Sequence, residues 1–184
     1  MTKKRKSSRL PGDPATASLV ERIIRVDQAG EYGAARIYAG QLAVLGGKRS
    51  AREIRRMAAQ EKEHLAAFDK LAAERRVRPT ALTPVWHAVG FALGAATALM
   101  GERAAMACTV AVEEVIDAHY HRQIDSLGGD EPDLAAVLAE FRADEIEHRD
   151  IALEHGAEDA PAYPLLLAAI KAGSRLAIWL STRI

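Results

Sequence analysis

Apolar residues return along this chain at alternating steps of three and four, the spacing of a helix face packed against other helices. One stripe runs Ile54, Met57, then Glu61 and His64, then Phe68 and Leu71. A second runs Leu134, Leu138, Phe141, then Glu145 and His148, then Ala152. Ile24 and Tyr38 flank Glu31 on a third, and Met106, Val110, Tyr120 and Ile124 flank Glu113 on a fourth. No segment sustains the alternation of a half-buried strand. Turn chemistry divides the stripes into six predicted helices, near 17–45, 50–76, 84–101, 103–127, 131–155 and 162–183. Ser50-Ala-Arg-Glu53 has the form of a capping box after the Gly46-Gly47 break. Thr83-Pro84 reads as an N-cap with proline at the first helical position, and Gly128-Gly129 and Gly156 read as stops.

Composition changes this picture little. Alanine, leucine, glutamate and arginine favour helix, and 184 residues suit one domain. We expect a flexible basic tail over 1–17 and a single domain over 18–184. No apolar run follows the tail's charges, so a secretory signal peptide is not expected. Lys+Arg and Asp+Glu balance at 25 each, which gives no argument for a nucleic-acid partner. Cys108 is the only cysteine, so there is no intrachain disulfide, and it reads as a small core residue.

The chemistry lies in the polar residues that interrupt the stripes. Glu31, Glu61, His64, Glu113, Glu145 and His148 occupy positions where leucine or isoleucine is expected, so four carboxylates and two imidazoles point into one core. Buried ionised carboxylates are costly unless paired or metal-bound, and no Lys or Arg shares these inward positions. Two metal ions would neutralise them. Glu and His three residues apart on a helix reach the same ion. The lone glutamate precedes its motif by 30 residues in the first half and 32 in the second. A Glu from each of two helices plus Glu-x-x-His from each of two others is the dinuclear carboxylate-bundle arrangement. Ligand type alone leaves iron and manganese both open. Asp27, Asp144 and Asp117 are candidates to accept the second ring proton of a ligating histidine. Glu63, Glu114 and Glu147 fall off the stripes and read as solvated or as lying behind the ligands.

Two helices remain. Between Arg78 and Glu102 there is no formal charge, and about 18 helical residues reach roughly 27 Å. The segment is rich in Ala and Gly, so a membrane-spanning helix is not expected; Gly90 and Gly94 form a small-x-x-x-small pair suited to close helix approach. In the last helix Leu166, Ile170, Ala177 and Leu180 make an apolar face, with Lys171, Arg175 and Arg183 placed to snorkel and Trp179 to sit at an interface. Four helices suffice for the metal site, so these two are expected to contact a membrane surface or a second copy.

Several segments also resemble a known family. Val26-Asp-Gln-Ala-Gly-Glu-Tyr-Gly-Ala34, Arg36-Ile-Tyr-Ala-Gly40, Ala107-Cys-Thr-Val-Ala-Val-Glu-Glu114, Glu145-Ile-Glu-His148 and Ala160-Pro-Ala-Tyr163 are similar to the 5-demethoxyubiquinone hydroxylases of ubiquinone biosynthesis, from about residue 18 onward. The resemblance implies an all-α, ferritin-like four-helix di-iron bundle with two additional helices, one apolar helix between the halves and one at the C-terminus. It places the iron ligands on the same six residues and a route for electrons or protons on His119 and Tyr120. Asp117 falls where the family tolerates small residues, which weakens an essential role for it. The implied reaction adds a ring hydroxyl to a demethoxyubiquinol, with O₂ as cosubstrate, two iron ions per chain and NADH as electron source. The implied partners are the quinone or quinol, a membrane surface, a lipid-binding accessory protein and a homo-oligomer. The short basic N-terminus favours the cytoplasmic face of a bacterial inner membrane, with the matrix side of the mitochondrial inner membrane as the alternative. Another ferritin-like di-iron oxidase is the competing enzyme reading. Iron storage fits poorly with the uncharged 79–101 helix, and a purely structural bundle leaves six inward polar residues unexplained.

Overall fold

The computed structural model describes residues 16–184; positions 1–15, most of the expected tail, lie outside the described residues. The stripes fold as α1 (Thr16–Leu45), α2 (Ala51–Arg75), α3 (Thr83–Leu99), α4 (Glu102–Leu127), α5 (Pro132–Glu154) and α6 (Tyr163–Ser181), with a 3₁₀ turn at Ala157–Asp159. Among the described residues there is no strand. Short connections make α1–α2 and α4–α5 antiparallel hairpins, and the two hairpins close a four-helix bundle on their apolar stripes. Ile24, Ile54, Met57, Phe68, Met106 and Leu138 are fully buried between them. This is a ferritin-like bundle with two additions: α3 lies along α1, and α6 lies along α4. Trp86 Nε1 of α3 donates to Ser181 Oγ of α6 at 3.0 Å, so both additions cover the same side of the bundle.

The α1–α3 seam depends on glycine. A Cβ at Gly90 would stand 2.9 Å from the Gly33 carbonyl oxygen, and one at Gly94 or Gly40 would overlap the carbonyl oxygen of Ile37 or Phe91. The small-x-x-x-small pair thus serves an intrachain contact.

Three local readings change. The capping box at Ser50 does not form: Ser50 is helical and its side chain makes no cap hydrogen bond. Its N–H donates instead to Glu102 Oε2 at 2.9 Å, while Glu53 pairs with Arg52. Thr83 is already helical, with Leu82 at the cap position, and its hydroxyl donates to Thr80 O at 2.9 Å. In α6, Ile170 is buried and Leu166 and Ala177 are half-buried, while Leu165, Leu176 and Trp179 are exposed on another side. Lys171 does not extend freely, because it is tied to Glu114 of α4. By length and composition α6, rather than α3, is the one helix among the described residues apolar enough to cross a membrane.

Candidate metal centre

Each bundle helix delivers its polar interruption to one place. Glu31, Glu61, Glu113 and Glu145 and both histidines are at most 2% exposed. They form two overlapping groups, Glu31–Glu61–His64–Glu145 and Glu61–Glu113–Glu145–His148, each with ligand atoms within 4.8 Å of one another. Glu61 and Glu145 belong to both groups, so they stand between the two positions.

Both imidazoles point the same nitrogen inward. His64 Nδ1 lies 3.5 Å from Glu31 Oε2 and 3.4 Å from Glu145 Oε1. His148 Nδ1 lies 3.1 Å from Glu61 Oε1 and 3.5 Å from Glu145 Oε2. The outer nitrogens are occupied. His64 Nε2 donates to Asp144 Oδ2 at 3.0 Å, and His148 Nε2 donates to Gln60 Oε1 at 3.2 Å. Each hydrogen bond fixes the tautomer and leaves Nδ1 free for an ion. Tyr38 donates to Glu113 Oε1 at 2.8 Å, and Tyr120 donates to Glu31 Oε1. What remains is a set of buried atoms with no hydrogen-bond partner: Glu31 Oε2, Glu113 Oε2, both oxygens of Glu61 and Glu145, and Nδ1 of each histidine. An unpaired buried polar atom costs about 1–3 kcal/mol. A convergent set of them, all carboxylate and imidazole, suits a pair of iron or manganese ions.

Without metal, burial drives three of the four carboxylates toward their protonated form. Burial, followed by the charge of Glu145, raises Glu61 and Glu113 well above the ordinary carboxylate range, and burial also raises Glu31. Glu145 differs: burial works against its charge, yet His148 and His64 pull it down to about 2. Burial opposes charge on His64 too, but Glu145 and Glu31 push it up to about 11. The folded metal-free chain therefore keeps protons that the unfolded chain releases. Stability must fall as pH rises, by about 1.4 kcal/mol per pH unit for each such proton. Glu145 contributes the opposite trend only below the ordinary carboxylate value. Chelator-treated protein should melt at progressively lower temperature from about pH 5 to about pH 8, and metal-loaded protein should not. A flat profile for the metal-free protein would contradict the burial of these carboxylates.

The remaining sequence candidates separate clearly. Asp144 reaches His64, whereas Asp27 is buried against His119 (Oδ1 to Nε2, 3.2 Å) and accepts from Gln123 at 2.8 Å. Asp117 accepts from Arg142 Nε at 2.6 Å. Glu147 pairs with Arg56 and Glu114 with Lys171, while Glu63 is exposed. His119 and Tyr120 are neighbours with ring centroids 6.5 Å apart, the first half-buried and the second buried. Sequence reasoning missed Gln60 and the crossing of the two tyrosines. A signal existed: Gln60 precedes Glu61 as Asp144 precedes Glu145, and each tyrosine lies seven residues after a lone glutamate.

A cavity of about 470 Å³ lies on the side covered by α3 and α6, and none of the six candidate ligands lines it. Its walls come from α1, α3, α4 and α6 and include Gly30, Ile37, Leu93, Val112, Ile116 and Ile170. Gly30 and Val112 are the chain neighbours of Glu31 and Glu113.

Comparison with known proteins adds the relatives. A family described as "Ubiquinone biosynthesis protein COQ7" matches residues 18–181. The chain is 61% identical over 184 residues to a Rhodospirillum rubrum protein named 3-demethoxyubiquinol 3-hydroxylase, covering 99% of this chain and 86% of that one. It is 52% identical over 183 residues to the Homo sapiens mitochondrial protein named NADPH-dependent 3-demethoxyubiquinone 3-hydroxylase, with 97% and 84% covered. To the Saccharomyces cerevisiae mitochondrial 5-demethoxyubiquinone hydroxylase it is 41% identical over 187 residues, with 92% and 80% covered. The chain belongs to the ubiquinone biosynthesis protein COQ7 family.

Proposed function

We propose that this protein hydroxylates the ring of a demethoxyubiquinol in ubiquinone biosynthesis, using O₂ and two iron ions held by Glu31, Glu61, His64, Glu113, Glu145 and His148. The observation that carries the reading is the pair of overlapping carboxylate–imidazole groups whose inward atoms have no hydrogen-bond partners, in a member of this family. Iron bound there supplies the activation of O₂ that hydroxylation of an electron-rich ring requires. The chain's own residues supply the rest. Glu61 and Glu145 hold the two positions together, and Tyr38 and Tyr120 restrain Glu113 and Glu31. Asp144 and Gln60 keep the imidazoles aimed inward.

The cavity suits an isoprenoid quinol in size and in its apolar lining. The cluster of His119, Asp27 and Gln123 begins near solvent, and Tyr120, whose ring centroid stands 6.5 Å from that of His119, donates to Glu31; this proximity supports a route for protons or electrons through His119 and Tyr120. A reduced nicotinamide nucleotide is the electron source; several relatives carry NADPH-dependent in their names. Exposed Val85, Val89, Leu99 and Met100 on and just after α3, and Leu165, Leu176 and Trp179 on α6, give the cavity side an apolar exterior suited to a membrane surface. Peripheral attachment to a membrane follows from that reading; the 61% identity to a bacterial relative favours the cytoplasmic face of a bacterial inner membrane, with the matrix side of the mitochondrial inner membrane as the alternative.

The test is reconstitution with ferrous iron and assay of a demethoxyquinone with reduced nicotinamide under air, with iron measured in the same sample. Two irons per chain and hydroxylated product are expected. Glu113→Ala and His148→Ala should lose the product and part of the iron. Iron without product would move the substrate to that of another di-iron oxidase.

A further inference from the structure

The ligand set repeats about an approximate two-fold relation, and so does the layer behind it. Tyr38 and Tyr120 cross to the opposite lone glutamates. Asp144 and Gln60, each immediately before a motif glutamate, cross to the opposite histidines, at 3.0 Å and 3.2 Å. The relation holds for position and fails for charge. His64 is backed by a carboxylate, Asp144, whose side chain is 33% exposed. His148 is backed by the neutral amide of Gln60. The difference recurs one turn before the lone glutamates. Buried Asp27 precedes Glu31 and faces His119 and Gln123, whereas buried Thr109 precedes Glu113 and donates to Ala105 O.

A carboxylate that accepts the outer imidazole proton makes the inner nitrogen a stronger donor than an amide does, and the charge-assisted bond is the stronger of the two. We propose that Asp144 and Gln60 are positioning residues that rank the two metal positions: the His64 half fills first and the His148 half second. The inference rests on the dinuclear reading of the site.

The test is an anaerobic titration of the full-length metal-free protein with Co(II), followed by its visible absorption and by heat. Two resolved steps, one equivalent each, are expected. Asp144→Asn should weaken the tight step about ten- to a hundredfold, so that the steps merge. Gln60→Glu should strengthen the weak step by a similar factor, a gain of affinity that misfolding cannot imitate. His64→Ala should remove the tight step and His148→Ala the weak one. Steps unmoved by both Asp144→Asn and Gln60→Glu, or a tight step that survives His64→Ala and disappears in His148→Ala, would overturn the ranking while leaving a two-metal centre in place. No Co(II) bound by the wild-type chain would overturn the dinuclear reading itself.

Discussion

Glu145→Ala should empty the centre of both metal ions, whereas Glu31→Ala should leave about one. Glu145 and Glu61 belong to both ligand groups, while Glu31 and Glu113 each belong to one. The two oxygens of Glu145 face different histidines, Oε1 toward His64 and Oε2 toward His148. Removing it takes a donor from each position at once. The variants should also differ before any metal is added. Glu145 is the carboxylate held ionised, at about 2, against a His64 held charged up to about 11. Deleting one member of a buried ion pair costs about 3–5 kcal/mol, so metal-free Glu145→Ala should melt well below wild type. Glu113 is pushed the other way by burial and repulsion. Replacing it with leucine removes that repulsion but orphans the Tyr38 hydroxyl, so it should cost the metal-free fold less than Glu145→Ala does. Metal analysis beside melting curves in chelator reads both effects; one ion retained by Glu145→Ala would mean that its carboxylate is not shared.

The second large effect lies far from any ligand. Gly94→Ala adds one methyl group, and that methyl would overlap the Ile37 carbonyl oxygen. The obstacle is backbone, which cannot rotate aside, so α1 and α3 must separate along the seam. Overpacking usually costs about 1–3 kcal/mol, occasionally more, and this case belongs at the upper end. In a chain of this size that corresponds to a melting temperature lower by roughly 10 °C. Gly30→Ala is the matched control, because nothing lies within 4 Å of its added methyl. There the helix gains about 0.5–1 kcal/mol from replacing glycine. Opposite signs for one chemical change would establish how closely the two backbones approach; equal melting of both variants would refute it.

Much of this molecule is legible in its sequence because helix periodicity speaks directly about which side of a helix is buried. The stripe through Ile54, Met57, Phe68 marks Glu61 and His64 as inward before any coordinate is known, and those residues are buried together. Contacts between helices are harder to read, since they depend on how far each helix is rotated and slid along its neighbour. That is why Asp27, a reasonable partner for a ligating histidine, faces His119 instead. It is also why the contact of Gln60 with His148 cannot be read from the stripe that marks Glu61. The capping box at Ser50 failed for a related reason: Glu102, 52 residues away, takes the Ser50 N–H. In α6 periodicity picks out the inward stripe of Leu166, Ile170, Ala177 and Leu180, but it cannot say that this stripe meets α4 of the same chain rather than a membrane or a second copy.

The unpartnered carboxylate oxygens at the centre have a consequence beyond geometry. Burial shifts Glu31, Glu61 and Glu113 toward holding a proton when no ion is present, and the carboxylates around His64 push it up to about 11. A metal can enter only as those protons depart, so loading is an exchange of hydrogen ions for metal ions. Acidity and metal supply thus act as opposing reagents on a single equilibrium. On the dinuclear reading, protons stand in for the ions in a chain made where metal is scarce, and acid favours release of metal from a loaded one.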